Sequence, residues 1–132
     1  MLHTSIDVTA KACEYFNSGY SCSESVIKAF SDAGIVSEEL VGVATSFSGG
    51  MSSGCLCGAV AGSQMIIGAL HGKDKDNTAR ALAKEFVERF KAEKKATCCK
   101  FLSIGYELSS PERKQKCTEY VKFCTEILKE LL

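Results

Sequence analysis

Eight cysteines carry most of the chemical potential of this 132-residue chain: Cys13, Cys22, Cys55, Cys57, Cys98, Cys99, Cys117 and Cys124. A thiol can exchange with disulfides, act as a nucleophile, ligate a metal, or simply pack as a small apolar side chain. The density here is above ordinary usage but below that of disulfide-scaffolded secreted domains. In a reducing compartment structural disulfides are rare, which leaves metal ligation, redox chemistry and core packing to be separated.

Position separates them in part. Cys22, the pair Cys55 and Cys57, and the pair Cys98 and Cys99 each fall where a helix is predicted to begin. Unpaired amides and the helix dipole favour a thiolate there, the form that attacks disulfides and binds metals. Cys13 and Cys124 fall on apolar stripes and read as packing residues. Cys117 suits a stripe too, but it lies nearer the start of the last helix. Seven residues, about 10 Å of helical rise, keep Cys117 from bonding to Cys124. If both were helical, Cys55 and Cys57 would point to nearly opposite sides, so they could share a metal or a disulfide only with Cys55 in the loop. Adjacent Cys98 and Cys99 are expected to divide, one facing the site and one the core.

A zinc site has weak support, because there is no Cys-x-x-Cys and no cysteine–histidine pair at finger spacing. Four thiols from different helices could still hold zinc or an iron–sulfur cluster. Of the two histidines, His71 reads as a helix C-terminal cap and His3 lies in a stretch expected to fray. Neither supplies a general base, which argues against a cysteine-protease arrangement. The run Phe47-Ser-Gly-Gly-Met-Ser-Ser-Gly54 is glycine-rich and precedes a helix, yet it lacks the lysine and hydroxyl residue of a P-loop and follows a helix where a strand is required. It reads instead as a tight turn that lets two helices and a thiol approach.

Composition bounds the partners. Lys plus Arg and Asp plus Glu both total 16, so the net charge is zero and no basic face points to nucleic acid. His3, Asp7 and Lys11 interrupt the apolar run that a secretory signal needs, so a cytoplasmic location is expected. The most apolar window, Cys55 to Leu70, is shorter than the about 20 residues that span a bilayer and holds Ser63 and Gln64. No membrane partner is expected.

Helix signals dominate the elements that must position these thiols. Thr4 and Asp7 can cap a first helix with Ile6, Ala10, Cys13 and Phe16 or Asn17 at helical spacing, ending near Ser18 and Gly19. Ser21 with Glu24 is a capping box opening a second helix that carries Val26, Ile27 and Phe30 and closes at Gly34. Ser37, Glu38 and Glu39 start a third that runs to about Phe47. The fourth begins near Cys55 or Cys57 and ends at His71 and a left-handed Gly72. Gly54, Gly58 and Gly62 give it a face nearly free of side chains, so another backbone is expected to pack there and to make this helix central. Residues 73–76 form a solvated turn, with Asp76 or Asn77 capping a fifth helix whose Ala79, Leu82, Ala83, Phe86, Val87 and Phe90 match the amphipathic template. Thr97 can cap a short sixth helix with Cys98, Cys99, Phe101 and Leu102, ending at Gly105. Ser110 and Pro111 start the last, whose stripe is Cys117, Tyr120, Val121, Cys124, Ile127 or Leu128 and Leu131. The expected fold is an all-α, single-domain bundle of about six to seven helices spanning residues 1–132.

Five ordered stretches resemble the C_GCAxxG_C_C family of redox-active proteins: Tyr20-Ser-Cys22-Ser-Glu-Ser-Val-Ile, Phe47-Ser-Gly-Gly-Met51, Cys57-Gly-Ala-Val-Ala-Gly62, Cys99-Lys-Phe-Leu102 and Cys117-Thr-Glu-Tyr-Val121. The resemblance assigns the four family cysteines to Cys22, Cys57, Cys99 and Cys117, and leaves Cys13, Cys55, Cys98 and Cys124 as additions. It implies redox activity without a named substrate. The expected function is therefore thiol–disulfide or electron-transfer chemistry with an unidentified redox partner. Cys57 is expected to be the most thiolate-like sulfur, exposed by the glycine turn and stabilised by the helix start. Cys22, Cys99 and Cys117 are expected as resolving thiols. The alternative is a metal or iron–sulfur protein with the same four cysteines as ligands and Cys55 and Cys98 beside them.

Overall fold

Local capping chemistry sets where the chain enters helix. The computed structural model describes residues 2–73 and 76–132. Its α-helices are α1 (Val8–Asn17), α2 (Cys22–Asp32), α3 (Glu39–Ala44), α4 (Gly58–His71), α5 (Thr78–Lys94), α6 (Cys99–Leu102) and α7 (Pro111–Leu131). Asp7 caps α1, its carboxylate accepting the Ala10 amide at 3.0 Å. Both halves of the Ser21–Glu24 capping box form at α2. Ser110 accepts the Arg113 amide at 3.1 Å and Pro111 occupies the first position of α7, where a missing N–H is harmless. The all-α class expected from periodicity is the one observed.

Several boundaries differ from expectation. The buried face of α1 is Val8, Ala12 and Phe16, while Ala10 is exposed. Because the helix starts after Asp7, Ile6 packs on the core from outside it and the inward stripe is offset. Gly72 is extended (φ −68°, ψ 157°), not left-handed, and closes α4 by donating to the Gly68 carbonyl at 2.7 Å. Thr97 does not cap α6; its carbonyl accepts the Cys57 amide at 2.7 Å instead. The helix after Ser37 gives way at Thr45–Phe47 to a 3₁₀ turn. The turn expected at residues 73–76 lies partly outside the described residues.

Helix α4 occupies the centre, against α2, α5 and α7, with α1 packed on α2 and α7. Val60, Ile66 and Ile67 of α4 share one core with Phe30 of α2, Phe86 and Phe90 of α5, and Val121 and Leu128 of α7. Each such side chain contributes about 1.5–3 kcal/mol on burial. The glycine face works as expected at its helical positions. A Cβ on Gly62 would lie 2.7 Å from the Ser23 carbonyl oxygen, so the backbones of α4 and α2 meet there. Ser23 is itself buried, its hydroxyl donating to the Ala44 carbonyl at 2.8 Å. Among the described residues no helix is long and apolar enough to cross a membrane.

Candidate functional site

Four helices begin at one place. The starts of α2, α4, α6 and α7 surround a cavity of about 580 Å³, and Cys22, Cys57, Cys99 and Cys117 all line it. Cys13, Cys55, Cys98 and Cys124 do not. Cys55 and Cys98 are exposed, Cys124 is buried in the core and Cys13 is half-buried. Within each close pair the cavity thus takes Cys57 and Cys99. All eight cysteines are free thiols.

The sequence around each thiol explains its placement. Cys22 is the first residue of α2, directly after the cap residue Ser21 and inside the capping box. Gly58 makes room for its sulfur: a Cβ there would overlap Cys22 Sγ and approach the Phe47 carbonyl at 3.0 Å. Cys57 follows Leu56 and Cys99 follows Cys98, and these two preceding residues are joined by an antiparallel bridge. Within it the Cys99 amide donates to the Cys55 carbonyl. The preceding glycine stretch is a left-handed turn, with positive φ at Gly49, Gly50, Met51, Ser52 and Gly54, closed by the Cys55 amide on the Gly50 carbonyl at 2.8 Å. A Cβ on Gly50 would stand 2.6 Å from Cys99 Cβ, so the turn lets the thiol segment approach. Met51 and Ser52 hold left-handed backbone at a cost of about 1–2 kcal/mol each, strain concentrated beside the cavity.

Burial beside the cavity runs against one expectation. Cys57 is only 6% exposed, and burial pushes its thiol up to about 12, reinforced by the charge of Cys22 and opposed by the amides of Val60 and Ala59. Desolvation outweighs the helix start, so the Cys57 thiol is raised and does not fit the activated thiolate expected from sequence. Burial also raises the Cys99 thiol, but Arg113 opposes it, donating from Nη2 to Sγ at 3.7 Å. Cys117 is raised by burial against Arg113 and Lys114. Burial raises Cys13 and, much further, Cys124, as suits packing residues. Cys22 and Cys99 both bear electrostatically on Cys57 and Cys117.

Arg113 and Lys114 escaped the reading of the sequence. Their signal was available: Arg113 precedes Cys117 by one helical turn, so both reach the same face of α7. Arg113 also donates to the Leu108 carbonyl at 3.0 Å, tying the loop before α7 to the cavity wall. Tyr120 closes the floor, its hydroxyl donating to the Leu102 carbonyl at 2.6 Å. Burial, then the charges of Cys117 and Cys57, push that phenol up to about 12.

The metal-ligand alternative finds no support in the same geometry. Among the described residues no group of three or more His, Cys, Asp or Glu side chains converges closely enough to hold a metal ion.

Fold and site together define an all-α protein with a cysteine-lined cavity between helix starts. Residues 20–131 match the family described as "Putative redox-active protein (C_GCAxxG_C_C)", and the chain belongs to that family. No curated protein and no solved structure matches it.

Proposed function

We propose that this protein carries out thiol–disulfide exchange at the cavity. The observation that carries the reading is the sorting of the thiols: the cysteines assigned by family resemblance line one cavity, and the other four stand outside it. Cys99 is the attacking sulfur. It lines both this cavity and an adjoining cleft of about 430 Å³, and it is the thiol to which a guanidinium donates.

Its thiolate attacks one sulfur of a disulfide, forming a mixed disulfide and releasing one thiolate that takes a proton from solvent. Cys22 then attacks the Cys99 sulfur as its own proton leaves, forming a Cys22–Cys99 disulfide and releasing the second thiol. Two electrons pass from the cysteines to the substrate. Cys57 and Cys117 are the thiols to which the new disulfide can pass by further exchange.

Single-turnover reaction of the reduced protein with 2-hydroxyethyl disulfide tests this. Cys22→Ser should accumulate a mixed disulfide on Cys99 and release the second thiol more slowly, and Cys99→Ser should lose the fast phase, with the helical circular dichroism of both unchanged. A Cys99→Ser protein that reacts like the original would overturn the assignment. Metal analysis and a visible spectrum of protein purified without oxygen check the alternative, since bound metal or cluster absorbance would contradict a free dithiol site.

A further inference from the structure

Exchange chemistry leaves the substrate's other atoms undefined, and the charges around the thiols point to them. Arg113 and Lys114 both line the cavity, and neither forms a salt bridge with any carboxylate among the described residues. Lys114 Nζ instead rests 3.6 Å from the centre of the Phe16 ring. The one carboxylate in the wall, Glu24, is already engaged at both oxygens, by the Ser21 amide at 2.9 Å and the Thr45 hydroxyl at 2.6 Å. The adjoining cleft shares Arg113 and adds Lys100, which also forms no salt bridge among the described residues. The chain as a whole is neutral, so this local excess of cations is a property of the site.

A guanidinium offers five donors, and Arg113 spends two, on the Leu108 carbonyl and on Cys99. The remaining edge can take a carboxylate while its sulfur partner stays beside the thiol. A cavity of about 580 Å³ has the size of a small-molecule site. We propose that the cavity selects low-molecular-weight disulfides bearing carboxylates, with Arg113 and Lys114 holding the carboxylate so that the disulfide bond lies against Cys99. This inference rests on the exchange chemistry proposed above. Arg113 has a double place in it, since it also touches the attacking sulfur, so selectivity and not absolute rate reports carboxylate binding.

The test compares three disulfides of different charge on the reduced full-length protein: anionic 3,3′-dithiodipropionate, neutral 2-hydroxyethyl disulfide and cationic cystamine. Each rate is divided by that of a free low-molecular-weight thiol with the same reagent. The corrected rate should be about tenfold higher for the anion than for the neutral compound, as a charge-assisted hydrogen bond supplies, and lowest for the cation. Arg113→Lys should keep part of that ratio, and Arg113→Ala and Lys114→Ala should each shrink it. Equal corrected rates for all three compounds, or a preference for cystamine, would overturn the carboxylate site while leaving exchange intact. Failure of all three to oxidise Cys22 and Cys99 would overturn the exchange reading itself. The wild-type series needs no variant, so the outcome does not depend on any substitution folding.

Discussion

Replacing Gly62 by alanine reads out the backbone contact that brings Cys22 and Cys57 together. In an unconstrained helix interior the change would stabilise by about 1 kcal/mol through helix propensity. Here the new Cβ would sit 2.7 Å from the Ser23 carbonyl oxygen and 3.3 Å from Ser23 Cα, both backbone atoms that cannot swing aside. Restoring ordinary contact requires α2 and α4 to separate by several tenths of an ångström, and overpacking of this kind costs about 1–3 kcal/mol. The expected net effect is destabilisation by about 1 kcal/mol, or a fall of about 4 °C in Tm for a chain of this size. Gly68, in the same helix, is exposed, and a Cβ added there would meet nothing within 4 Å, so Gly68→Ala should stabilise by about 0.5–1 kcal/mol. Urea unfolding of the two variants should therefore differ in sign relative to the original protein, with unchanged slopes. If Gly62→Ala proved as stabilising as Gly68→Ala, the close approach of α2 and α4 would be refuted.

Two further outcomes follow from the buried thiol. With its thiol near 12 against an ordinary 9.0, Cys57 should react with iodoacetamide at pH 7 about a thousandfold more slowly than an unhindered thiol, measured by timed alkylation and peptide mass spectrometry. Labelling at the rate of an ordinary thiol would contradict its placement. The same shift sets an alkaline limit: below pH 9 the folded and unfolded thiols are both protonated and its contribution to stability is complete. Between pH 9 and 12 the unfolded thiol ionises and the folded one does not, so stability falls by about 1.4 kcal/mol per pH unit from this group. Urea midpoints across that range should decline, and less steeply in Cys57→Ala.

Periodicity and capping made the helices legible: the Ser21–Glu24 box, the Ser110–Pro111 start and the α5 stripe appear where their residues put them. The α1 stripe was less legible, since the buried face depends on which residue caps the helix. The Cys98–Cys99 region was harder still, because α6 is a single turn and its preceding residues answer to a distant segment through the Leu56–Cys98 bridge. The helix-start rule pointed to Cys22 and to the pairs that contain Cys57 and Cys99, not to Cys117, and it misjudged Cys57, since a local rule for thiolate stabilisation carries no information on how deeply the sulfur is buried. Choosing Cys99 over Cys98 required the fold. Arg113 could have been found by asking which charged side chains share a helical face with Cys117.

The proposed exchange with a disulfide belongs to the cavity thiols and not to their neighbours. Reduced protein treated without oxygen with one equivalent of 3,3′-dithiodipropionate, then unfolded in denaturant, alkylated, digested and mapped by mass spectrometry, tests this most directly. The predicted product is a Cys22–Cys99 disulfide with Cys13, Cys55, Cys98 and Cys124 alkylated. A linkage through Cys55 or Cys98, or four free thiols in the cavity, would contradict it.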